Sequence, residues 1–247
     1  MDSNELNTIL ENHKHWLNQD CDGWRDMYAD LEGVVLQGAN LKKADLRYAN
    51  LQHASLHYAN LEGADLRYAN LKNAGLENAH LCHADLRAAH LEGANMENAN
   101  LQQADMRKAY MQEAELQNAD MQNTYLQRAN LQNADLQFAN LQDAHLKYAN
   151  LRHVNLEHVN LQEADLYGAN LKGANIDYSC LPLWCGSLNA NFDSKQLKQI
   201  AYHLVKAGLN STNATKKDKQ ELSKLIDYAN SFHRAKECGF IAKEMEK

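Results

Sequence analysis

The chain has 247 residues, a formal net charge of −7, a hydrophobic fraction of 45% and only one proline. No apolar run approaches the ~18 residues that a membrane-spanning helix needs, and the N-terminus lacks the basic start of a secretory signal. Its five cysteines are scattered without CxxC spacing, which favours reduced thiols over a disulfide framework. We therefore expect a cytoplasmic protein without a membrane partner.

The first predicted element is an amphipathic helix over residues 4–18. Its apolar positions follow helical spacing, at Leu6, Ile9, Leu10, His13, Trp16 and Leu17. Ser3 or Asn4 is available as the N-cap. We expect residues 1–28 to form an N-terminal helical cap, with Trp24 packed against the first coil, because an open solenoid end exposes unpaired backbone groups.

A five-residue repeat then fills residues 29–181. Most units have Ala, then Asn or Asp, then a large apolar residue that we call the centre, then two residues that are mostly polar or aromatic. Leu31 is the first centre and Leu181 the last, which gives about 31 units without an insertion or deletion. A period of five fits neither a helix nor a strand, so the repeat predicts a solenoid with Ala and the centre facing inward.

A longer period sets the size of one coil. The Arg residues of one column recur at every fourth unit, each preceded two places earlier by Asp: Arg47, Arg67, Arg87 and Arg107 follow Asp45, Asp65, Asp85 and Asp105. This echo indicates four units per coil and a square cross-section. About 31 units then correspond to about 7–8 coils.

Tandem Ala-Asp/Asn-Leu-X-X units resemble the pentapeptide repeat family over residues 29–181. The resemblance implies an all-β solenoid, a right-handed quadrilateral β-helix with four repeats per coil. The corner of each unit, two places after the centre, holds Gly or Asn in many units but Tyr48, Tyr58 or Phe138 in others. Since Gly and Asn tolerate positive φ far better than Tyr or Phe, we expect mixed turn types, with type II at the Gly and Asn corners.

One face combines basic and aromatic side chains and is a candidate interaction face. It contains Arg47, Arg67, Arg87, Arg107, Tyr48 and Tyr68. The simplest interpretation is a solvated ladder in which each Arg pairs with an Asp and contributes a few tenths of a kcal/mol. The alternative is a surface for a protein partner, because Arg and Tyr are enriched at binding hot spots. The interleaved Asp residues argue against direct nucleic-acid binding.

The opposite face is a candidate acidic face. It contains Glu77, Glu97, Glu115, Asp135, Glu157 and Asp177. Some pentapeptide repeat proteins resemble duplex DNA in shape and charge and bind DNA gyrase, giving quinolone resistance. The resemblance therefore implies an alternative function, mimicry of DNA toward gyrase or another DNA-binding enzyme. Those proteins present a denser acidic surface, and several carry projecting loops that this repeat lacks.

Residues 182–247 are predicted to form a C-terminal helical cap or hairpin. One helix runs from Asp193 or Ser194 to Gly208, and a second from about Ala214 to Gly239. The hairpin either caps the last coil or forms a homodimer, so the chain is a monomer or a homodimer through its C-terminal helices. The apolar residues of this possible dimer or cap surface are Leu225, Phe232, Phe240 and Ile241.

Catalytic chemistry has no support in the sequence. There is no nucleophile–base pairing, no glycine loop that would hold a phosphate and no cofactor motif, so we predict no catalytic, cofactor or metal site. The sequence favours a non-enzymatic structural or protein-interaction scaffold whose partner it does not specify.

Overall fold

The computed structural model describes residues 1–177, 179, 190–210 and 215–231. It divides into two compact units, Met1–Asn191 and Phe192–Lys247. The helices are α1 (Ser3–Asn18), a short 3-10 helix (Trp24–Asp26), α2 (Ser194–Asn210), α3 (Lys216–Ser223) and α4 (Ile226–Asn230). The repeats and α1 belong to the first unit, and α2, α3 and α4 belong to the second.

The repeat region pairs with itself at every fourth five-residue unit. Parallel bridges join Asp30 to Asn50 and Asn50 to Asn70, and the same spacing continues as far as the bridge from Asn155 to Asn175. Four units therefore complete one coil, as the echo of Arg and Asp along the sequence predicts. In the described repeats, each face contributes an isolated bridge rather than an extended strand.

The core is a column of identical side chains. Every centre from Leu31 to Ile176 is at most 3% exposed, and every small residue two places before a centre, from Ala49 to Ala169, is at most 1% exposed. This confirms that Ala and the large apolar residue face the interior. The first coil is less well covered, since Val34, Ala39 and Ala44 stay partly exposed.

The backbone of each unit is almost entirely hydrogen-bonded. In one unit near the middle, the N–H groups of Asn130, Leu131 and Asn133 donate to carbonyls of neighbouring coils at 2.9, 2.9 and 3.0 Å, and that of Ala129 closes the turn onto the preceding centre at 3.0 Å. The fifth N–H, of Gln132, donates to Oδ1 of the Asn130 side chain at 3.3 Å. The Asn or Asp before the centre thus satisfies the one donor that the coils leave over.

We expect Asn130→Ala to lower the free energy of unfolding by about 1–2 kcal/mol. The variant loses the acceptor for Gln132 and also the bond from Asn150 Nδ2 to Asn130 Oδ1, which is 2.8 Å long. Ser55 occupies the same place in its own unit, so Ser55→Ala is the matched control and should change stability by less than about 0.5 kcal/mol. Urea denaturation of both variants tests this, and equal losses would contradict it.

The corners are uniform, and the prediction of mixed turn types is wrong. From Gly33 to Gly173, every residue two places after a centre has φ between 54° and 75°, including Tyr48 at 63° and Phe138 at 61°. The preceding residue has no positive φ, and the next N–H donates to the centre's carbonyl, which is the pattern of a type II turn. Three inter-coil hydrogen bonds per unit outweigh the roughly 1–2 kcal/mol that a non-glycine residue costs there.

Helix α1 begins with a capping box at Asp2. The Asp2 carboxylate accepts from the N–H groups of Asn4 and Glu5, and the Glu5 side chain accepts from the Asp2 N–H at 3.0 Å. The predicted N-caps, Ser3 and Asn4, are wrong. Of these neighbouring polar residues, Asp2 alone has a Glu three places later, so it alone completes the reciprocal pair of bonds.

The second unit differs from the predicted hairpin in its helix boundaries. Helix α2 continues past the predicted stop to Asn210, and the second predicted helix is divided into α3 and α4. The break falls where the N–H groups of Lys224 and Leu225 donate to carbonyls three residues earlier, at 3.3 and 3.0 Å, which tightens the turn. The small core of this unit joins Tyr202 and Val205 of α2 to Ile226 and Ala229 of α4.

Candidate interaction faces

Four flat faces follow from four units per coil. The residues before and after each centre point outward, and a residue type that recurs at every fourth unit forms a column along one face. We call the face built on the units centred at Leu46 and every twentieth residue to Leu166 the Arg–Asp face. The opposite face, built on the units centred at Leu36 and every twentieth residue to Ile176, is the acidic face. The residues predicted for the candidate interaction face all lie in units of the Arg–Asp face, and those predicted for the candidate acidic face all lie in units of the acidic face.

A continuous ladder of ion pairs runs along the Arg–Asp face. The guanidinium of Arg67 donates from Nε to Asp65 Oδ1 at 2.8 Å and from Nη2 to Asp65 Oδ2 at 2.6 Å. Its Nε also lies 3.5 Å from Asp85 Oδ2 of the next coil. Arg47, Arg87 and Arg107 pair with Asp45, Asp85 and Asp105 in the same bidentate way.

These pairs hold both partners in their charged forms. Hydrogen bonding to Asp65 raises the pKa of Arg67. For Asp45, burial favours a higher pKa, but the hydrogen bonds and charge of Arg47 outweigh burial, so the pKa of Asp45 lies below its ordinary value. Each guanidinium is therefore neutralised within the face, which leaves little positive field for a phosphate backbone.

A stack of aromatic rings borders the ladder. Tyr48 and Tyr68 lie with their ring centroids 5.0 Å apart and their planes 5° from parallel. They are 47% and 52% exposed. Trp16 of α1 meets the edges of Tyr28 and Tyr48 at 5.1 and 6.3 Å and extends the column toward the N-terminus. We call Trp16, Tyr28, Tyr48 and Tyr68 the aromatic stack.

The aromatic stack is rigid because each corner is fixed by the coil. Tyr48 and Tyr68 both have positive φ in hydrogen-bonded turns, and the Tyr28 hydroxyl donates to the Tyr48 carbonyl at 2.9 Å. The corner positions in the next coils hold Ala88 and Lys108, so the stack ends after Tyr68. A planar, half-exposed surface of this kind offers contact area with little loss of side-chain entropy.

His13 fixes α1 against the first coil. This side chain is 0% exposed. Its Nδ1 accepts the Ala29 N–H at 3.1 Å, and its Nε2 donates to the Arg47 carbonyl at 2.9 Å, so both ring nitrogens are used by the neutral imidazole. Burial lowers the pKa of His13, which favours that neutral form. Trp24 is partly buried, with the Arg25 guanidinium carbon 4.8 Å from its ring centroid, and its packing against the first coil stays a prediction.

The acidic face carries no Lys or Arg in its described units, from residue 34 to residue 177. Many of its carboxylates are already hydrogen-bonded within the face. Glu77 Oε1 accepts from Asn95 Nδ2 at 3.0 Å, and Glu157 accepts from Gln137 Nε2 at 3.1 Å. Glu97 and Glu115 are exposed, whereas Asp177 is only 7% exposed. Asp177 therefore does not belong to an accessible surface, which corrects the predicted set at that position.

Of the four residues predicted to form a dimer or cap surface on the C-terminal helices, the structure describes one. Leu225, between α3 and α4, is 44% exposed. Phe232, Phe240 and Ile241 lie outside the described residues.

Sequence reasoning missed two features of these faces. His13 gave no signal beyond helical spacing, because the pairing of its two nitrogens with the backbone depends on a coil reached 16 and 34 residues later. The contribution of Trp16 to the aromatic stack likewise needs the position of α1. The equal spacing of Tyr28, Tyr48 and Tyr68, which matches the spacing of the Arg column, was visible in the sequence and could have revealed the stack.

These features define a class: a solenoid built of five-residue units, with a Leu and Ala interior and flat polar faces. A model of pentapeptide repeats matches the chain in eight copies over residues 28–63, 44–81, 74–112, 109–147 and 149–182. The chain belongs to the pentapeptide repeat family. Membership implies a right-handed quadrilateral β-helix.

Solved structures of the same family are similar to this chain. HetL, a pentapeptide repeat protein involved in heterocyst differentiation regulation from the cyanobacterium Nostoc sp. strain PCC 7120, is 33% identical, over 64% of this chain and 73% of its own, with a TM-score of 0.31. Full-length QnrB1, a plasmid-mediated fluoroquinolone resistance protein, is 17% identical, over 72% and 97%, with a TM-score of 0.40. Rfr23 from the cyanobacterium Cyanothece 51142 is 22% identical, over 66% and 87%, with a TM-score of 0.29.

A search of the curated proteins finds no match to this chain. Among the described residues, no helix combines the length and the apolar character needed to cross a membrane.

Proposed function

We propose that this protein is a non-enzymatic, cytoplasmic interaction scaffold whose protein partner binds the Arg–Asp face beside the aromatic stack. The observation that supports this most directly is the pair of parallel, half-exposed rings of Tyr48 and Tyr68. In the proposed architecture, about 31 repeats in about 7–8 right-handed coils form the rod at 29–181. Residues 1–28 cap one end, and residues 182–247 form the C-terminal cap or hairpin.

The groups that remain available on the Arg–Asp face determine the kind of partner that it can bind. The guanidinium groups of Arg47 and Arg67 are each held by two carboxylates, so they supply shape and directed N–H groups rather than net charge. Tyr48 and Tyr68 supply apolar area with a hydroxyl at the edge. Fixed aromatic side chains next to paired Arg are typical of sites where few residues contribute most of the binding energy.

The test compares how much of the partner protein is captured by the unmodified chain, by a variant of the aromatic stack and by a variant of a tyrosine on the acidic face. We expect the full-length chain to capture a partner from cells that express it, and the double variant Tyr48→Ala, Tyr68→Ala to recover at least tenfold less of that protein, which corresponds to about 1.4 kcal/mol or more. Tyr58→Ala is the matched control, because Tyr58 is a corner tyrosine of the acidic face with 59% exposure. Equal recovery by all three proteins would contradict the assignment to the Arg–Asp face.

The second candidate function is mimicry of DNA toward gyrase or another DNA-binding enzyme. It is favoured by the absence of Lys and Arg from the described units of the acidic face, where Glu97 and Glu115 are exposed. This function requires inhibition, or protection from quinolones, in a supercoiling assay with purified gyrase at micromolar protein. The matched variant is Glu97→Gln, Glu115→Gln. No effect of the unmodified chain would remove gyrase as the partner.

The oligomeric state is a separate proposal. A homodimer through the C-terminal helices would cover Leu225, which is 44% exposed. Light scattering distinguishes the dimer from the monomer, and Leu225→Lys should shift a dimer toward the monomer, because it places a charge in the apolar contact.

A further inference from the structure

A second kind of site lies away from the faces, where α1 gives way to the repeats. His15 is in the last turn of α1, and Asp20 and Cys21 follow the helix end. One ligand atom from each of these three side chains lies within 4.8 Å of the other two. This cluster combines imidazole, carboxylate and thiol, and it takes no part in the proposed binding of a partner protein.

We propose that His15, Asp20 and Cys21 bind a zinc-type divalent cation. Imidazole nitrogen, carboxylate oxygen and thiolate sulfur are the three ligand types that Zn²⁺ uses in proteins. Hard cations such as Mg²⁺ and Ca²⁺ select oxygen ligands, so the thiol and the imidazole exclude them. The two negative charges of Asp20 and ionised Cys21 match the charge of the ion.

The backbone brings the three ligands together. Gln19 ends α1 in the left-handed conformation, with φ 55°, and its N–H donates to the His15 carbonyl at 2.8 Å. This reverses the chain, so that the Asp20 carboxylate reaches His15 Nδ1 at 2.7 Å. The carboxylate is thus directed at the imidazole before a cation arrives.

The thioether sulfur of Met27 lies next to the thiol of Cys21. The 3-10 helix Trp24–Asp26 returns the chain so that Met27 Sδ lies 3.7 Å from Cys21 Sγ. Asp20 and Cys21 therefore lie on a short loop that α1, which carries His15, holds at one end and the first coil holds at the other. His13, two residues before His15, joins the helix to Ala29 and to the Arg47 carbonyl. The site is thus partly pre-organised rather than assembled from a free chain.

Binding requires a small adjustment of side chains. Zinc holds sulfur at about 2.3 Å and nitrogen or oxygen at about 2.0–2.2 Å, which places ligand atoms of a tetrahedral site roughly 3.3–3.7 Å apart. The His15–Asp20 pair must open from 2.7 Å, and the widest pair must close from within 4.8 Å. The side chains of His15 and Asp20 are 45% and 44% exposed, so both can rotate. The fourth position is open to water.

The binding step has a defined proton balance. The S–H bond of Cys21 breaks as the zinc–sulfur bond forms, and its proton passes to the buffer. The proton that His15 Nδ1 donates to Asp20 leaves that nitrogen and is replaced by one on Nε2, so the neutral imidazole changes tautomer and the net release stays one proton. The sulfur keeps its electron pair, so no oxidant or reductant takes part. Affinity should therefore increase with pH, because the thiol must lose its proton to bind.

The experiment is a calorimetric titration of the reduced, chelator-treated full-length chain with Zn²⁺ in two buffers of different ionisation enthalpy. We expect a site of micromolar or tighter affinity that releases about one proton. Co²⁺ in place of Zn²⁺ should give a sulfur-to-metal charge-transfer band. Because Cys180, Cys185 and Cys238 lie outside the described residues, the titrations use a background in which these three are replaced by Ser.

Matched variants assign the ligands. Cys21→Ser and His15→Gln should each weaken binding by roughly a hundredfold or more and remove the cobalt band. Cys82→Ser is the control, since Cys82 is the other free cysteine among the described residues and lies on the repeats. Asp20→Asn should also weaken binding, because it removes the carboxylate ligand, and Asp22→Asn is its control. Binding at millimolar concentration only, or equal affinity in Cys21→Ser and Cys82→Ser, would overturn the proposal.

One further variant tests the identity of the ion. Met27→Leu should change Zn²⁺ affinity less than about threefold, because a thioether is not among the usual zinc ligands. A large loss of affinity in Met27→Leu, with copper(I) preferred over Zn²⁺, would make the site a soft-metal site and overturn the zinc assignment. Far-UV circular dichroism of each variant establishes that α1 remains folded.

Discussion

Leu101→Ala should destabilise the protein by about 2–5 kcal/mol. Leu101 is 0% exposed, and its column continues through the centres one coil before and one coil after, Leu81 and Met121. A solenoid coil has no second layer of side chains that could move into the space. The cavity therefore remains, and each neighbouring coil also loses a packing partner. Urea denaturation followed by far-UV circular dichroism measures the loss.

The control for this variant is the next residue. Gln102 points outward from the same unit, and its Nε2 donates to Asp120 at 2.7 Å. Gln102→Ala should cost no more than about 1 kcal/mol, because a part-exposed hydrogen bond contributes little net stability. Similar losses from Leu101→Ala and Gln102→Ala would contradict the inward orientation of the centres.

His13→Ala should release α1 from the first coil. The substitution removes both bonds of the imidazole and leaves the Ala29 N–H and the Arg47 carbonyl without their partner. At about 1–3 kcal/mol for each unsatisfied buried group, two groups cost roughly 2–6 kcal/mol, so the docking of α1 loses at least about 2 kcal/mol. Hydrogen exchange of α1 amides should then accelerate by at least roughly 30-fold, while the amides of the middle coils keep their protection.

Lys14→Ala is the matched change on the same helix. The Lys14 side chain is 62% exposed and pairs with Glu11 at 3.6 Å. This variant should leave exchange in α1 within about threefold of the parent, since exposed pairs of this kind contribute a few tenths of a kcal/mol. Slow exchange of α1 in His13→Ala would show that Trp16 and Tyr28 alone suffice to hold the helix.

The periodic part of this fold could be predicted from sequence, because one physical rule is repeated in every unit. The spacing of Arg47 and Arg67 gave the coil length, and the Ala and Leu positions gave the interior. The corner geometry could not be predicted residue by residue. Tyr48 avoids positive φ when considered alone, but the hydrogen bonds to both neighbouring coils impose that conformation on it.

The ends of the rod follow no such rule. Asp2 rather than a neighbouring polar residue is the N-cap of α1 because Glu5 lies three residues later and completes the capping box. The docking of α1 depends on His13, which has no counterpart in the repeats. The candidate faces lie between these cases. Their membership follows from the period, while the pairing of Arg67 with both Asp65 and Asp85 and the burial of Asp177 depend on side-chain positions that the period leaves open.

Each unit is bridged to the fourth unit after it. The effect of an insertion or deletion on the faces therefore depends on how many units it adds or removes, and not on where it falls. Duplication or loss of four consecutive units lengthens or shortens the rod and leaves the downstream columns aligned with the upstream ones. Loss of a single unit preserves every local turn but rotates everything downstream by a quarter of a revolution. The Tyr148 corner would then no longer lie in line with Tyr48 and Tyr68, so a deletion that barely perturbs folding would change which side chains share each face downstream of it.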